Sequence, residues 1–232
     1  MDKLNSFSLE QTQSGHKQRL QERFLKEGLD HFQPYEVLEL LLSYSLTRQD
    51  TKELAKQLLH QFGNLNSLLS MTTEELCKVK GISRHTAFLL QFFKAAHTFL
   101  LRETIIKQDY ISSLQDVLTY LQAKYKGVRY EEFRVLYLNT RNIILYDEKI
   151  ADGTINEARV YIRKIVERAF QYGCSGLILV HNHPSGSTQP SQEDIQLTKR
   201  IQLVAPNLDL RILDHLIIAQ GSYYSFAEQQ IL

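Results

Sequence analysis

The periodicity of the apolar residues changes once along this chain of 232 residues, close to residue 102. Before that point apolar residues recur every three or four positions, as in Leu54, Leu58 and Phe62, and glycines and prolines separate the runs. This spacing is typical of helices that each bury one face. The sequence therefore predicts an all-α domain over residues 1–102.

Beyond this point, segments with strand character alternate with segments with helix character. Residues 103–111 are polar and β-branched, and we interpret them as a linker. The predicted elements that follow are a helix at Leu114–Tyr125, strands at Phe133–Leu138 and Ile143–Ile150, a helix at Val160–Tyr172 and a short buried strand at Leu177–Val180. Because strands and helices alternate, we predict a mixed α/β domain over residues 112–232.

Composition narrows the class of protein. With 27 basic and 26 acidic side chains the formal charge is +1, so any contact with nucleic acid must be local rather than driven by a long-range field. No apolar run reaches the roughly 18 residues that span a bilayer, and the first residues lack the apolar segment of a secretory signal. Two cysteines, Cys77 and Cys174, cannot build a disulfide framework, and their apolar neighbours predict buried thiols. We expect a cytoplasmic protein without a membrane partner.

The segment Val180–Asp194, with the sequence VHNHPSGSTQPSQED, concentrates the residues that carry chemistry. His181 and His183 follow a predicted strand, and on extended backbone residues two apart point to the same side, with β-carbons about 6 to 7 Å apart. Ser191 is a natural N-cap for the next helix, and Asp194 then lies in its first turn. The spacing predicts that both imidazoles and this carboxylate meet at one edge of a sheet.

Two imidazole nitrogens and one carboxylate form a three-ligand set that leaves a fourth position for water, which is typical of catalytic zinc. Zinc in such a set lowers the pKa of its water to about 7, and the reaction that this favours is hydrolysis. Two alternatives stay open from the residues alone. His181 and His183 could be unrelated loop histidines, and Asp194 could serve only in a capping box with Ser191.

The pattern His-x-His, seven residues, Ser-x-x-Asp resembles that of the JAMM (MPN/JAB) metalloproteases, and the string HNHPSG resembles the RadC branch of bacterial proteins. The resemblance continues at Glu131–Asn142 (EEFRVLYLNTRN), Asp214–Ile217 (DHLI) and Tyr223–Phe226 (YYSF), and in the helical half at Gly15–Leu42. It implies a JAMM/MPN domain of the cytidine-deaminase-like kind. It also implies a zinc ion held by His181, His183 and Asp194, a general-base glutamate, and Ser191 stabilising a tetrahedral intermediate.

Two residues compete for the role of the glutamate. Glu131 and Glu132 both precede the strand FRVLYL, and alternation along a strand puts them on opposite faces, so that only one can face the metal. By similarity to the family's spacing we choose Glu131. Its role would be to take a proton from water and deliver it to the leaving amine.

The neighbouring pair Asp214 and His215 is a further candidate. Taken alone, the pair is more typical of a buried, hydrogen-bonded couple that supports a site than of a second catalytic dyad. We therefore leave it outside the predicted metal ligands.

A turn in the helical half, Val79–Ser83, is similar to a helix-hairpin-helix motif. Such a turn presents backbone amides and a helix N-terminus to a DNA phosphate, and the candidate contacts are Lys80, Gly81, Ser83 and Arg84. The motif usually has a second glycine where this chain has Ser83, so the serine could instead cap the following helix, and a turn with a purely structural role stays open.

The leading hypothesis is a RadC-like zinc hydrolase that acts on an amide or isopeptide bond of a protein or peptide substrate and contacts DNA through its helical half. The alternative is a protein that binds or processes DNA, in which the metal domain is structural or mediates contacts. A metal-dependent nuclease is less favoured, because phosphodiester cleavage is typical of carboxylate-rich magnesium sites and this cluster is rich in imidazole.

Overall fold

The computed structural model describes residues 16–47, 51–106, 113–153 and 162–232. The chain divides into two compact units, Met1–Ala96 and His97–Leu232. The division falls inside one long helix, so each unit contains part of it.

The first unit is helical throughout its described residues. Its helices are α1 (residues 16–27), α2 (Pro34–Ser45), α3 (Thr51–Phe62), α4 (Leu65–Leu69), α5 (Thr73–Cys77) and the first part of α6 (Arg84–Ile105). Their inner faces bury one apolar cluster that includes Leu38, Leu58 and Leu90, each 0% exposed. The prediction of a helical N-terminal region is confirmed.

The second unit combines one mixed sheet with helices. Its elements after α6 are α7 (Leu114–Tyr125), β1 (Glu132–Leu138), β2 (Ile144–Asp152), α8 (Ile162–Tyr172), β3 (Gly176–Asn182), α9 (Gln192–Val204), a short 3₁₀ helix (Ala205–Leu208), β4 (Arg211–Ala219) and β5 (Ser222–Ser225). The strand order is β2-β1-β3-β4-β5, and only the β3–β4 pair is parallel. The predicted α/β class is confirmed.

Both faces of this sheet are covered, which explains why β1 and β3 are buried along their whole lengths. Residues of α7 and the end of α6, among them Leu121 and Ile105, pack on one face. Residues of α8 and α9, among them Ile165 and Leu197, pack on the other. We call the second surface the α8–α9 face. Neighbouring side chains along each strand therefore enter different environments, since they alternate between the two faces.

A register shift in β4 decides which face His215 occupies. Leu177 of β3 pairs with Ile212, but the next residue of β3 pairs with Asp214, so that Leu213 is an extra residue in β4. If the register of the Leu177–Ile212 pair continued without a shift, Leu213 would face Ile178, and His215 would lie opposite Val180 and on the other face. With it, His215 pairs with Leu179 and lies on the α8–α9 face.

Two local expectations differ from the structure. Helix α6 continues through Ile105, three residues into the segment that we interpreted as a linker, because Leu101 and Ile105 pack into the apolar cluster beside α7. Residues 107–111 of that segment lie outside the described residues. Cys77 is exposed rather than buried, since it ends the short helix α5, and Cys174 is only partly buried. Within the described residues, no helix combines the length and apolar character needed to cross a bilayer.

A buried ionic cluster holds the beginning of β1. Arg134 Nη1 lies 2.7 Å from Glu132 Oε1, and Arg134 Nε donates to the carboxylate of Asp147 in β2. Tyr125 donates to Glu132 at 3.2 Å, and Tyr120 donates to Asp147. All of these side chains lie on the face covered by α7, so Glu132 is engaged there.

We expect Arg134→Met to lower the free energy of unfolding by about 3–5 kcal/mol, because it leaves the buried carboxylate of Glu132 without its cation and leaves Asp147 with only the more distant Arg102, at 3.5 Å. The matched control is Arg163→Met, which removes an exposed pair with Glu167 at 3.1 Å and should cost no more than about 1 kcal/mol. Urea unfolding of the full chain measures both. Equal, small losses for the two variants would contradict a stabilising role for the buried cluster.

Candidate metal centre

The candidate centre lies at the carboxyl end of β3, beside the parallel strand β4. His181 lies within β3, and the backbone N–H of His183 donates to the carbonyl of Ile218 at 2.9 Å, which prolongs the extended backbone past the end of the strand. The two imidazoles therefore project from the same face. Helix α9 begins nearby and brings Asp194 to them, as expected for a site at the carboxyl edge of parallel strands.

Three side chains converge there. His181 Nε2 lies 2.8 Å from His183 Nε2 and 3.2 Å from Asp194 Oδ1, and His183 Nε2 lies 3.5 Å from Asp194 Oδ2. Among the described residues this is the one group of His, Cys, Asp and Glu whose ligand atoms lie close enough to share an ion. Two nitrogens and a carboxylate oxygen are ordinary ligands of a transition metal, so the residues fit a metal centre.

Asp194 is held by its own helix as well as by the histidines. The Ser191 backbone N–H donates to Asp194 Oδ2 at 2.6 Å, and the Asp194 N–H donates to Ser191 Oγ at 3.1 Å, which together form a capping box. From the sequence, a capping box and metal binding were alternative roles for Asp194. In the structure the capping box orients the Asp194 carboxylate toward the imidazoles, so the two roles are compatible. Burial alone would raise the pKa of Asp194, but its interactions with the rings of His181 and His183 and with Ser191 outweigh burial and hold the pKa well below its ordinary value.

The orientation of the His183 ring depends on the loop that follows it. His183 Nδ1 lies 2.9 Å from the carbonyl of Ser187, and because a carbonyl only accepts, Nδ1 donates and Nε2 faces Asp194. Gly186, with φ of +88°, makes the turn that brings this carbonyl back. The hydrogen bond to Asp194 raises the pKa of His183 against the opposing effect of burial, and the charges of Asp194 and Glu131 act in the same direction.

The two glutamates at the beginning of β1 have different surroundings. Glu132 is buried beside Arg134 on the opposite face. Glu131 is two residues before Phe133, whose ring centroid is 6.4 Å from that of His181, and it is only partly buried. Alternation therefore directs Glu131 toward the histidine side.

Sequence reasoning missed Asn182, which lies between the two histidines but faces away from them. It is 2% exposed, its Oδ1 accepts the backbone N–H of Glu132 at 2.9 Å, and its Nδ2 donates to the carbonyl of Tyr130 at 2.9 Å. Both bonded groups flank Glu131, so the amide of Asn182 holds the backbone on either side of that residue. The sequence does contain a signal for Asn182: it is a polar residue that continues the alternation of a strand buried on both faces, and such a residue needs hydrogen-bond partners.

Asp214 and His215 do not form a carboxylate–imidazole couple. The Asp214 carboxylate accepts from the backbone N–H of His215 at 2.7 Å and from the hydroxyl of Ser225 at 2.6 Å. The His215 ring instead contacts His181 at 3.0 Å and Thr198 at 2.7 Å. Burial lowers the pKa of His215 well below its ordinary value. Thr198, four residues after Asp194 on α9, is a second residue that sequence reasoning missed.

The residues singled out in the helical half lie at the junction of α5 and α6. Lys80, Gly81, Ser83 and Arg84 are all exposed, and Gly81 has φ of +94°. Ser83 Oγ accepts the backbone N–H of Thr86 at 3.1 Å, as an N-cap of α6 does. The serine in place of a second glycine is accommodated, because positive φ is confined here to Gly81.

Comparisons with known proteins match two separate parts of the chain, in line with its two compact units. Residues 111–231 match the family described as the RadC-like JAB domain, and residues 12–88 match the family described as UPF0758 N-terminal. A UPF0758 protein of Ruegeria pomeroyi is 39% identical over 217 residues, which cover 94% of this chain and 97% of the relative. A UPF0758 protein of Rhodobacter capsulatus is 39% identical over 92% of this chain and 100% of the relative, and one of Fusobacterium nucleatum is 31% identical over 96% and 99%.

We expect Asp194→Asn to lower the pKa of His183 in the metal-free protein, because the hydrogen bond to this carboxylate is the largest cause of the raised value. NMR titration of the histidine ring protons measures it. The control is Glu193→Gln, which removes one negative charge from the neighbouring position and should leave the His183 pKa near the wild-type value. A His183 pKa unchanged by Asp194→Asn would contradict the geometry of the cluster.

Proposed function

We propose, since this chain belongs to the family of RadC-like JAB domains, that it is a JAMM-type zinc hydrolase that cleaves an amide or isopeptide bond in a protein or peptide. The observation that carries the proposal is the convergence of His181, His183 and Asp194 on one point at the carboxyl edge of the sheet. The partly buried carboxylate of Glu131 on the same side supports it.

Zinc is the favoured metal for this ligand set. Magnesium and calcium prefer oxygen ligands, whereas two imidazoles and one carboxylate are typical of zinc that retains an open position. His181, His183 and Asp194 would hold the ion. When bound, zinc lowers the pKa of water to about 7 and polarises a carbonyl oxygen, which is the chemistry that amide hydrolysis needs.

The chain's own residues supply the proton transfers. Glu131 would take a proton from the attacking water and deliver it to the leaving amine. Ser191 already accepts a backbone N–H through its oxygen, so its hydroxyl hydrogen is available to donate to the oxyanion of the tetrahedral intermediate. Asn182 would keep Glu131 in place through the two adjacent backbone groups.

Protein purified without chelator should contain about one zinc per chain, and His181→Ala should remove it because two ligands hold the ion far less well than three. Metal analysis with circular dichroism separates loss of zinc from loss of fold. The control is His97→Ala, at a histidine outside the cluster, which should retain the metal. Absence of stoichiometric zinc from the wild-type protein would overturn the proposal of a zinc hydrolase.

Glu131→Gln should keep the zinc and reduce hydrolysis by about 10²- to 10⁴-fold, because the amide cannot accept the proton. This variant is also the bait for peptides and proteins, which are then presented to the wild-type enzyme and analysed by mass spectrometry for cleaved amide bonds. Glu193→Gln is the activity control. Equal cleavage by the wild type and Glu131→Gln would remove Glu131 from the mechanism, and captured ligands that the wild type never cleaves would favour the alternative, in which the metal domain mediates contacts.

We also propose that the junction of α5 and α6 contacts the DNA backbone through Lys80, Arg84 and the backbone amides near Gly81 and Ser83. The observation that favours it is the exposure of both cations beside a turn with positive φ and the capped beginning of α6. Contacts of this kind read phosphates rather than bases.

The double variant Lys80→Ala, Arg84→Ala should weaken binding to duplex and branched DNA and should reduce the slope of log K against log salt by about two, one for each lost phosphate contact. Fluorescence anisotropy at several salt concentrations measures both quantities. The control is Arg19→Ala, Lys26→Ala, which removes two exposed cations from α1. Identical DNA affinity and identical salt dependence in the two double variants would contradict the proposal that this turn contacts DNA.

A further inference from the structure

We propose that Thr198 and His215 are positioning residues that fix the tautomer of His181, through a directed chain of hydrogen bonds that begins at the backbone carbonyl of Asp194. This chain of hydrogen bonds would keep the hydrogen of the neutral His181 ring on Nδ1 and the lone pair on Nε2, which lies 3.2 Å from Asp194 Oδ1 and accepts from His183 Nε2 at 2.8 Å. This inference rests on the proposed metal centre, for which it explains how one ligand is kept ready.

The direction of this chain of hydrogen bonds is set at Thr198. Its Oγ1 lies 2.7 Å from the carbonyl oxygen of Asp194 and 2.7 Å from His215 Nδ1. The carbonyl has no hydrogen to offer, and two oxygens at that distance repel each other unless a hydrogen lies between them. The single hydroxyl hydrogen is therefore committed to the carbonyl, and the hydroxyl oxygen must accept from His215 Nδ1.

The next step is made by the His215 ring. Its Nδ1 carries a hydrogen, and the ring is 0% exposed. The partners of its two nitrogens are a hydroxyl and another imidazole, so no carboxylate is bonded to the ring to compensate a buried positive charge. In the neutral ring Nε2 then has a lone pair and accepts the hydrogen of His181 Nδ1 at 3.0 Å.

In His181, as in His183, Nδ1 carries a hydrogen and Nε2 faces the cluster, but the group that accepts the Nδ1 hydrogen differs. His183 donates its Nδ1 hydrogen to the carbonyl of Ser187, a loop group. His181 is buried within β3, and its Nδ1 instead contacts His215 of the adjacent strand β4. Both rings therefore direct Nε2 to the same point, as metal-binding histidines with an acceptor behind them do.

Packing keeps the His215 ring in the required orientation. It stacks on Phe226 with centroids 4.7 Å apart and planes at 17°, and it meets the edge of Phe133 at 6.1 Å. The register shift at Leu213 puts it on the α8–α9 face. Asp194 consequently contributes to the centre twice, by its carboxylate and by the carbonyl that starts the chain.

The first test uses the metal-free wild-type chain and needs no variant. Long-range ¹⁵N–¹H correlation spectra with assigned histidine side chains report which ring nitrogen carries the hydrogen. The expected result is a single tautomer with the hydrogen on Nδ1 for both His181 and His215. A hydrogen on Nε2 of His181, or a mixture of its tautomers, would overturn the proposal.

The second test measures zinc affinity by competition with a chelating dye. Thr198→Val removes the hydroxyl that accepts from His215, so it should weaken zinc binding about 10- to 100-fold and give a mixture of His181 tautomers, whereas Thr198→Ser should restore both. The control is Thr119→Val, because Thr119 makes the same kind of bond to the carbonyl four residues before it, at 2.8 Å in α7.

The outcomes separate this inference from the proposed function. Zinc affinity and tautomers that are unchanged in Thr198→Val would overturn the inference and leave the hydrolase intact. A wild-type chain that shows the expected tautomers but binds no zinc would support the chain of hydrogen bonds and overturn the proposed function. Equal loss of affinity in Thr198→Val and Thr198→Ser would also overturn the inference, since the serine retains the hydroxyl.

Discussion

The geometry of the candidate centre depends on the carboxylate of Asp194. A buried carboxylate is costly unless polar groups surround it, and here they come from three directions: the backbone N–H of Ser191, which donates to it, and the rings of His181 and His183, which lie 3.2 and 3.5 Å away. Because the capping box also begins α9, a substitution that moved the carboxylate would alter the start of the helix as well. The helix and the cluster are therefore one structural unit at the carboxyl edge of β3.

The two glutamates at the beginning of β1 lie on opposite faces of the sheet, one in the core and one on the side of the histidines. Glu132 faces α7 and is engaged by Arg134 and Tyr125, so its charge is compensated within the core. Glu131, immediately before β1, is only partly buried. Because side chains of extended backbone alternate between the two faces, the engagement of Glu132 on the α7 face directs Glu131 to the other side.

Local sequence patterns account for much of this architecture. The His-x-His alternation, the cap at Ser191 and the distinction between the helical and the mixed half all follow from spacing that is visible in the chain. What could not be read in advance depends on contacts between distant segments. The extra residue at Leu213 follows from the pairing of β4 with β3, and nothing in the letters DHLI reveals the face on which His215 lies. The extension of α6 through Ile105 likewise reflects packing against α7, which local propensity does not contain.

The two histidines of the proposed metal centre are held in place in different ways. His181 is 2% exposed and is backed by strand β4 through a ring that is itself buried, so its position changes only if the sheet changes. His183 is partly exposed and is backed by the carbonyl of Ser187, an exposed residue of the loop between β3 and α9. The interaction with Asp194 raises the pKa of His183, so in the proposed centre protonation of this ring would compete with metal binding. The proposed centre would therefore combine one ligand fixed within the sheet with one whose orientation depends on the loop between β3 and α9.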